Sequence, residues 1–240
     1  MRKASYEELS DRGAALVYLG RYAEALRQFR ELQSHGFDPY TVCANMGTTF
    51  ELMGQNDSAL YYIRKAVDLN PKAHQGSEWI HVRILERKVA LARGEPVISP
   101  MLGIDFGSEE LPSAMERDEL ADIRNQLRYQ LQERMTFVKP KDAIVGELLF
   151  ELGNMEAILW GVECAVDVYD VAKEYGYTSE LFERRYAKLS GMTGKAALLT
   201  QWDRVPGANL LTLIFLLASV VLLLGVLTFG RWLVRRSRAR

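Results

Sequence analysis

The chain has 240 residues, of which 48% are hydrophobic, and its 30 basic and 31 acidic side chains leave a net charge of −1. The last ten residues hold five arginines and no acid, so residues 1–230 carry 25 basic against 31 acidic side chains. This acidic body argues against broad nucleic-acid binding, which needs a basic surface.

Residues 1–76 contain one pattern of glycine, alanine and large apolar residues twice, 34 positions apart. The matched pairs are Gly13 and Gly47, Leu16 and Phe50, Gly20 and Gly54, Ala25 and Ala59, and Phe29 and Ile63. The small residues suit close helix crossings, and Gly20 and Gly54 suit a turn with positive φ after a first helix. Pro71 then stops the second helix of the second copy. The pattern resembles the tetratricopeptide repeat (TPR), a helix-turn-helix unit of this period, and the resemblance implies an all-α solenoid of helical hairpins.

Residues 77–142 fit the pattern loosely and are interpreted as a helical insertion or a degenerate repeat. Apolar spacing predicts a helix over Glu78–Arg93 and a second over Ser113–Val138 that opens with a Ser113 and Glu116 capping box. The segment between them, 94–112, is rich in proline and glycine but also in large apolar residues, so we expect it to pack on the helices.

Residues 143–192 contain a third, more divergent unit, about 106 positions after the second. Asp142 is a candidate N-cap for its first helix, and Glu156 stands where a large apolar residue is usual. The last predicted helix, over Thr178–Leu189, is amphipathic and is expected to cover the end of the array.

A predicted linker, 193–205, leads to a stretch over 206–230 that carries no charged residue, and the basic tail 231–240 follows. As a helix, the apolar part of this stretch reaches about 33 Å, enough for a hydrocarbon core of about 30 Å. The predicted membrane-interface residues are Trp202, Trp232, Arg231, Arg235 and Arg236. The sequence therefore predicts a single-pass protein in contact with a lipid bilayer.

Two orientations stay open for this anchor. The arginines after 206–230 outnumber the basic residues just before it, which predicts a cytoplasmic tail and a periplasmic repeat domain at a bacterial inner membrane. That orientation requires a signal ahead of Met1, because a long domain does not usually cross a membrane without one. The charged start of the chain is followed by polar residues rather than by the apolar run of a signal. The alternative is a tail-anchored protein with a cytosolic repeat domain, a layout that resembles the TPR-like mitochondrial fission adaptor.

The sequence offers no catalytic constellation and no set of metal ligands, so we predict no enzyme, no metal and no cofactor. His74, Glu78 and His81 have helical spacing, but we interpret them as surface or interface side chains because a metal site needs further ligands. Cys43 and Cys164 fall on positions predicted to be packed, and neither has an evident histidine partner. The run Asp105-Phe106-Gly107 is interpreted as a turn, since no other kinase signature is present.

The TPR resemblance implies a concave surface, lined by the first helix of each hairpin, that binds a protein partner. The matching positions are Glu7, Ser10, Ala14, Val17, Tyr18, Thr41, Ala44, Thr48, Glu51 and Leu52. Val17, Tyr18 and Leu52 favour an apolar or basic-apolar partner. The resulting hypothesis is a membrane-anchored scaffold for protein interaction or complex assembly. The alternative is an accessory subunit of a membrane enzyme or secretion complex, held among other membrane subunits mainly by its transmembrane helix.

Overall fold

The computed structural model describes residues 5–114 and 117–193. These two ranges are all-helical, as expected, and they form ten helices and no strand. All ten helices belong to one compact unit, Met1–Gly191. They are α1 Tyr6–Tyr18, α2 Tyr22–Ser34, α3 Pro39–Leu52, α4 Asn56–Leu69, α5 Ala73–Gly76, α6 Glu78–Arg93, α7 Arg117–Phe137, α8 Ala143–Leu159, α9 Val162–Glu174 and α10 Glu180–Ser190.

Three pairs of helices are hairpin-like, and in each pair the two helices cross closely at a glycine. The pairs are α1 with α2, α3 with α4 and α8 with α9. The contacts are Gly13 with Phe29, Gly47 with Ile63 and Gly153 with Tyr169, and in each the facing residue comes 16 positions later. A Cβ added at any of these glycines would lie 2.2–2.5 Å from the facing side chain, closer than carbon atoms approach in proteins. The recurrence shows that the three pairs are built on one local geometry.

The ends of these helices follow the expected residues. Gly20 and Gly54 take φ angles of +71° and +74° just after α1 and α3, as predicted for helix-terminating glycines. Pro71 follows the end of α4 by two residues. Asp142 caps α8, where its carboxylate accepts the Val145 N–H at 2.8 Å.

In the middle of the unit, α6 packs on α4, while α7 packs on α8. The predicted helix over Glu78–Arg93 is confirmed as α6. The predicted start of the next helix at Ser113 is wrong. The Ser113 N–H instead donates to the Phe106 carbonyl at 3.2 Å, so Ser113 belongs to the preceding loop, and Glu116 lies outside the described residues.

The segment 94–112 packs against the helices, as its apolar content predicted. Met101, Leu102 and Phe106 are buried, although Ile98 is exposed. A turn forms at its centre, where the Asp105 carboxylate accepts the N–H of Gly107 at 2.8 Å. We call this segment the strap loop, because side chains of α8 and α10 bind its backbone.

At the end of the unit, α10 covers α9 as predicted for a terminal helix. Phe182 is fully buried against the rings of Phe150 and Tyr169. One prediction about this region is wrong: Cys164 is exposed on α9, because the packed side of that helix is taken by Ala165 and Tyr169, whereas Cys43 is buried as expected.

The predicted membrane segment, 206–230, and the interface residues around it lie outside the described residues. Among the helices from α1 to α10, none is long and apolar enough to cross a membrane.

Candidate partner-binding groove

A cavity of about 280 Å³ opens between α1, α3, α6 and α7, and we call it the groove. Seven of the ten predicted binding positions line it: Ala14, Val17, Tyr18, Ala44, Thr48, Glu51 and Leu52. The first helices of the two N-terminal hairpins, α1 and α3, therefore line one side of the cavity together.

The other three predicted positions do not line the groove. Glu7 is exposed near the start of α1, and Ser10 is buried. Thr41 lies in the first turn of α3, where its hydroxyl donates to the Asp38 carboxylate at 2.6 Å.

The floor of the groove is built around the buried carboxylate of Glu51. It accepts hydrogen bonds from His81 Nε2 at 2.6 Å, Lys88 Nζ at 2.7 Å and Arg134 at 2.7 and 3.2 Å. Burial alone would raise the pKa of Glu51, but the charges of Arg134 and His81 outweigh it and hold this pKa well below the usual value. Glu51 is therefore a charged acid within the protein, neutralised by side chains from two other helices.

A second buried acid, Glu78, lies beside the first. Its Oε1 atom lies 2.6 Å from His74 Nδ1 and accepts a hydrogen bond from the Tyr40 hydroxyl at 3.3 Å. Burial opposes ionisation here too, but the hydrogen bonds of His74 and the proximity of His81 lower the pKa of Glu78 to about 2. The hydrogen bond to Glu78 in turn raises the pKa of His74 despite partial burial.

His81 connects the two acids. Its Nε2 atom contacts Glu51, and its Nδ1 atom lies 3.8 Å from Glu78 Oε2, which is too long for a hydrogen bond. Burial would lower the pKa of His81, but the Glu51 charge and hydrogen bond reverse this effect and raise it. The described residues contain no group of three side chains arranged to hold a metal ion.

The backbone before α6 places His74 in this cluster. His74 and Gln75 have φ angles of +49° and +60°, a left-handed conformation that is rare outside glycine, and Gly76 continues it at +75°. The His74 ring stacks on Tyr129 of α7, with 5.4 Å between ring centroids. His74, Glu78 and His81 are thus brought together as ion pairs.

Helix α7 supplies the wall that the sequence did not reveal. Its Phe137 ring contacts Tyr18 of α1 at 4.8 Å between centroids, and Val138 lines the groove beside it. Closer to the start of α7, the side-chain carbonyl of Gln126 accepts a hydrogen bond from the indole N–H of Trp79 at 2.6 Å. No local signal marks α7 as a groove helix, because its partners are distant in sequence.

Two arginines in the middle of α7 explain the unusual acid in the third unit. Glu156 of α8 is buried, and it accepts hydrogen bonds from Arg124 at 2.8–3.1 Å and from Arg128 at 3.1 Å. An acid replaces the expected apolar residue because α7 brings two guanidinium groups to it.

A larger depression, of about 760 Å³, lies between α4 and α6. Exposed charged side chains dominate its lining, and several are already paired, as in Arg64 with Glu86 at 2.8 Å. It lacks the buried polar groups that distinguish the groove.

No family model matches the sequence, and no curated protein or solved structure is similar enough to this chain to count as a match.

Proposed function

We propose that the protein is a membrane-anchored TPR scaffold that binds a segment of a partner protein in the groove. The observation that carries the proposal is that apolar walls and a charge-paired floor meet at the positions that the repeat resemblance assigns to partner binding. Tyr18 at the rim is 62% exposed even though its ring contacts Phe137. A partner would cover this aromatic surface, and such surfaces are frequent at the centres of interfaces.

The TPR assignment is supported by the 34-residue period and by the glycine crossings that recur at a spacing of 16. Stacked helical hairpins of this kind bind partners through the concave surface. The proposal assigns no catalytic step to the chain.

A matched pair of tyrosines tests the groove. Tyr18 lies in the groove and Tyr61 lies on α4, and their exposed fractions are nearly equal, 62% and 61%. A photo-reactive amino acid placed at either position in the full chain should cross-link a protein in cells only from position 18. The captured protein should then bind the purified full chain directly, and Tyr18→Ala should weaken that binding about tenfold.

Tyr61→Ala serves as the control and should leave the affinity unchanged. Equal cross-linking from both positions, or equal loss of affinity in both variants, would show that the groove is not the binding surface.

The anchoring part of the proposal rests on 206–230, whose uncharged sequence is long enough to cross a bilayer. We expect the basic tail in the cytoplasm and the groove in a bacterial periplasm, with the tail-anchored cytosolic arrangement as the alternative. Protease added to intact spheroplasts should digest the helical unit. Protection until the membrane is lysed would establish the cytosolic arrangement.

The second candidate function is an accessory subunit held mainly by its transmembrane helix. It is favoured by Ser219 and Gly225, small residues that allow close helix packing within 206–230. Deletion of residues 205–240 separates the two candidates. A groove-based scaffold keeps its soluble partner after the deletion, whereas an anchor-held subunit leaves its complex.

A further inference from the structure

The turn that leads into α6 has a backbone conformation that its residues do not favour. We call residues 73–77 the histidine turn. Within it, His74 and Gln75 take φ angles of +49° and +60°, although neither residue is a glycine. A left-handed residue that carries a Cβ costs free energy, and such residues persist only where their surroundings hold them. Because His74 lines the groove, this strained turn forms part of the edge of the candidate binding site.

Side chains from three helices hold His74 in place. Its Nδ1 atom lies 2.6 Å from Glu78 Oε1 at the start of α6. Its ring stacks on Tyr129 of α7, with 5.4 Å between ring centroids, and the Tyr40 ring of α3 approaches it edge-on at 6.2 Å. Of these contacts, the one with Glu78 depends most directly on the charge of His74, because a hydrogen bond between two ionised groups is stronger than one with a neutral partner.

The titratable groups that face His74 come from the same three helices. They are Tyr40 of α3, Glu78 and His81 of α6, and Tyr129 and Glu133 of α7. The hydrogen bond with Glu78 raises the pKa of His74 most, the charges of Glu78 and Glu133 raise it further, and burial and the charge of His81 oppose them. The His74 side chain is 42% exposed, so protons reach it from solvent. His74 therefore gains and loses its proton at a pH above the usual histidine value of about 6.5.

We propose that His74 is a proton-controlled latch on the groove. The protonated ring holds the histidine turn against α7 through its charged pair with Glu78. When the ring loses its proton, the pair keeps at most a neutral donor, and the interaction that offsets the strained backbone weakens. The histidine turn then opens from α7 more often, and the groove loses one side of its edge.

The latch makes partner binding depend on pH. A groove whose edge is already formed binds a partner more tightly than a groove whose edge must first be ordered. The affinity for a partner should therefore fall as the pH rises and His74 loses its charge. The inference rests on the proposed function and adds a way in which pH regulates the same site.

Hydrogen exchange on the full-length protein in detergent micelles tests the latch without any partner. Peptides that cover residues 72–80 are followed by mass spectrometry at pH 6 and pH 8.5, and the rates are corrected for the pH dependence of the chemical exchange step. Protection in these peptides should be at least about threefold lower at pH 8.5, because the turn opens more often once His74 is neutral.

Three variants connect the response to His74. His74→Asn removes the titrating ring but keeps a residue that tolerates positive φ, so protection of the turn should be low and nearly equal at both pH values. Glu78→Gln removes the charge that favours protonation, so the change in protection should move to lower pH. His35→Asn replaces an exposed histidine after α2 and should behave like the native protein. Circular dichroism confirms that each variant keeps its helix content.

A titration of the imidazole groups gives a second measurement. The chain has three histidines, so selective labelling of histidine yields three titration curves by nuclear magnetic resonance. The curve that is missing from His74→Asn belongs to His74. Its midpoint in the native protein should lie above about 6.5 and coincide with the loss of protection in residues 72–80.

Equal protection of residues 72–80 at pH 6 and pH 8.5, or a pH response that survives in His74→Asn, overturns the latch. A His74 midpoint that differs from the midpoint of the change in protection overturns it as well. None of these measurements uses a partner, so their failure leaves the scaffold proposal to the cross-linking at position 18. If the latch is confirmed but position 18 captures no protein, the latch remains a property of the fold and the scaffold proposal fails.

Discussion

Two buried glutamates, Glu51 in the groove and Glu151 under the strap loop, have similar burial and opposite chemistry. Glu51 is surrounded by His81, Lys88 and Arg134 within hydrogen-bond distance. Glu151 instead accepts two backbone N–H groups of the strap loop, from Met101 at 2.6 Å and Leu102 at 3.2 Å. The pKa of Glu51 lies well below its usual value, whereas burial raises the pKa of Glu151 to about 8 against the partial opposition of those N–H groups.

The backbone N–H groups offset the effect of burial on the pKa of Glu151 only in part, whereas the positive charges beside Glu51 more than offset it. The groove floor therefore holds an ionised carboxylate. Glu151, which is neutral or weakly ionised, accepts hydrogen bonds from the backbone of the strap loop. The same residue type is paired with cationic side chains at one site and with backbone N–H groups at the other.

Removing the groove carboxylate should have the largest effect on stability. Glu51→Ala leaves three cationic groups packed together without their shared counter-charge, and we expect the free energy of unfolding to fall by about 3–5 kcal/mol. Urea unfolding monitored by circular dichroism measures it. Glu24→Ala removes an exposed acid from α2 and should cost far less, so comparable losses would contradict the account of Glu51.

Removing the arginine that holds the strap loop should have the next largest effect. Arg185 of α10 is 1% exposed and donates to the carbonyls of Phe106 at 2.8 Å, Gly107 at 2.6 Å and Glu109 at 2.9 Å, and to the Asn154 side chain at 2.9 Å. Arg185→Met leaves these acceptors unsatisfied, and we expect a loss of about 2–4 kcal/mol.

Limited proteolysis of the Arg185→Met variant should show new cleavage within 103–110. The exposed Arg184 provides the comparison, since it makes one contact with the loop, to the Ser108 carbonyl at 3.1 Å. Cleavage that increases equally in Arg184→Met would mean that the loop is not held chiefly by Arg185.

The contrast between the two acids predicts opposite responses to pH. The raised pKa of Glu151 gives a stabilising contribution that is complete below the unfolded value of about 4.5 and is lost as the pH rises through about 8. The lowered pKa values of Glu51 and Glu78 give contributions that are present above about 4.5 and are lost as the pH falls. The raised pKa values of His74 and His81 give contributions that are present below the unfolded value of about 6.5 and are lost as the pH rises through the raised values.

Glu151→Gln isolates the strap-loop term, because an amide carbonyl still accepts a backbone N–H but does not titrate. At pH 5 the variant should differ from the native protein by about 1 kcal/mol or less, and at pH 8 it should be the more stable of the two. Unfolding in urea at both pH values measures the change. An unchanged difference between pH 5 and pH 8 would mean that Glu151 keeps an ordinary pKa.

The smallest effect is expected from removing one cation of the groove. Lys88→Met leaves His81 and Arg134 on Glu51, and the Lys88 side chain is partly exposed, so we expect a loss of about 1 kcal/mol or less. Thermal unfolding at low and high salt measures it. A loss as large as that of Glu51→Ala would show that the three cations do not share the carboxylate.

Features that depend on neighbouring residues were predictable from the sequence. The 34-residue period located the glycine crossings, and Asp142 marked the start of α8, because a turn, a cap or a close crossing needs a particular residue at a particular position. The same period located most of one groove wall. The predicted residues of this wall lie at equivalent positions of α1 and α3, and the spacing of 34 residues relates each position in α1 to one in α3.

Features that depend on distant residues were not predictable. Glu51 is bound by His81 and Lys88 of α6, 30 and 37 positions away, and by Arg134 of α7, 83 positions away. The arginines that bind Glu156 lie on α7, 28 and 32 positions away, and no period relates any of these pairs. The left-handed turn at His74 also escaped prediction, because histidine does not by itself indicate a positive φ. The groove could therefore be placed on α1 and α3 from the sequence, but its floor and second wall required the packing of α6 and α7.

Helix α7 also determines how the array comes apart. A stack of helical hairpins in which each touches only its neighbours frays from its ends, one repeat at a time. Here α7 alone supplies Arg134 to Glu51 of α3 and Arg124 to Glu156 of α8. Separating either α3 or α8 from the unit therefore breaks an ion pair with this one helix. Amide hydrogens in α3 and α8 should consequently exchange through one shared opening event, and the unit should melt as a single cooperative body rather than as a row of separate modules.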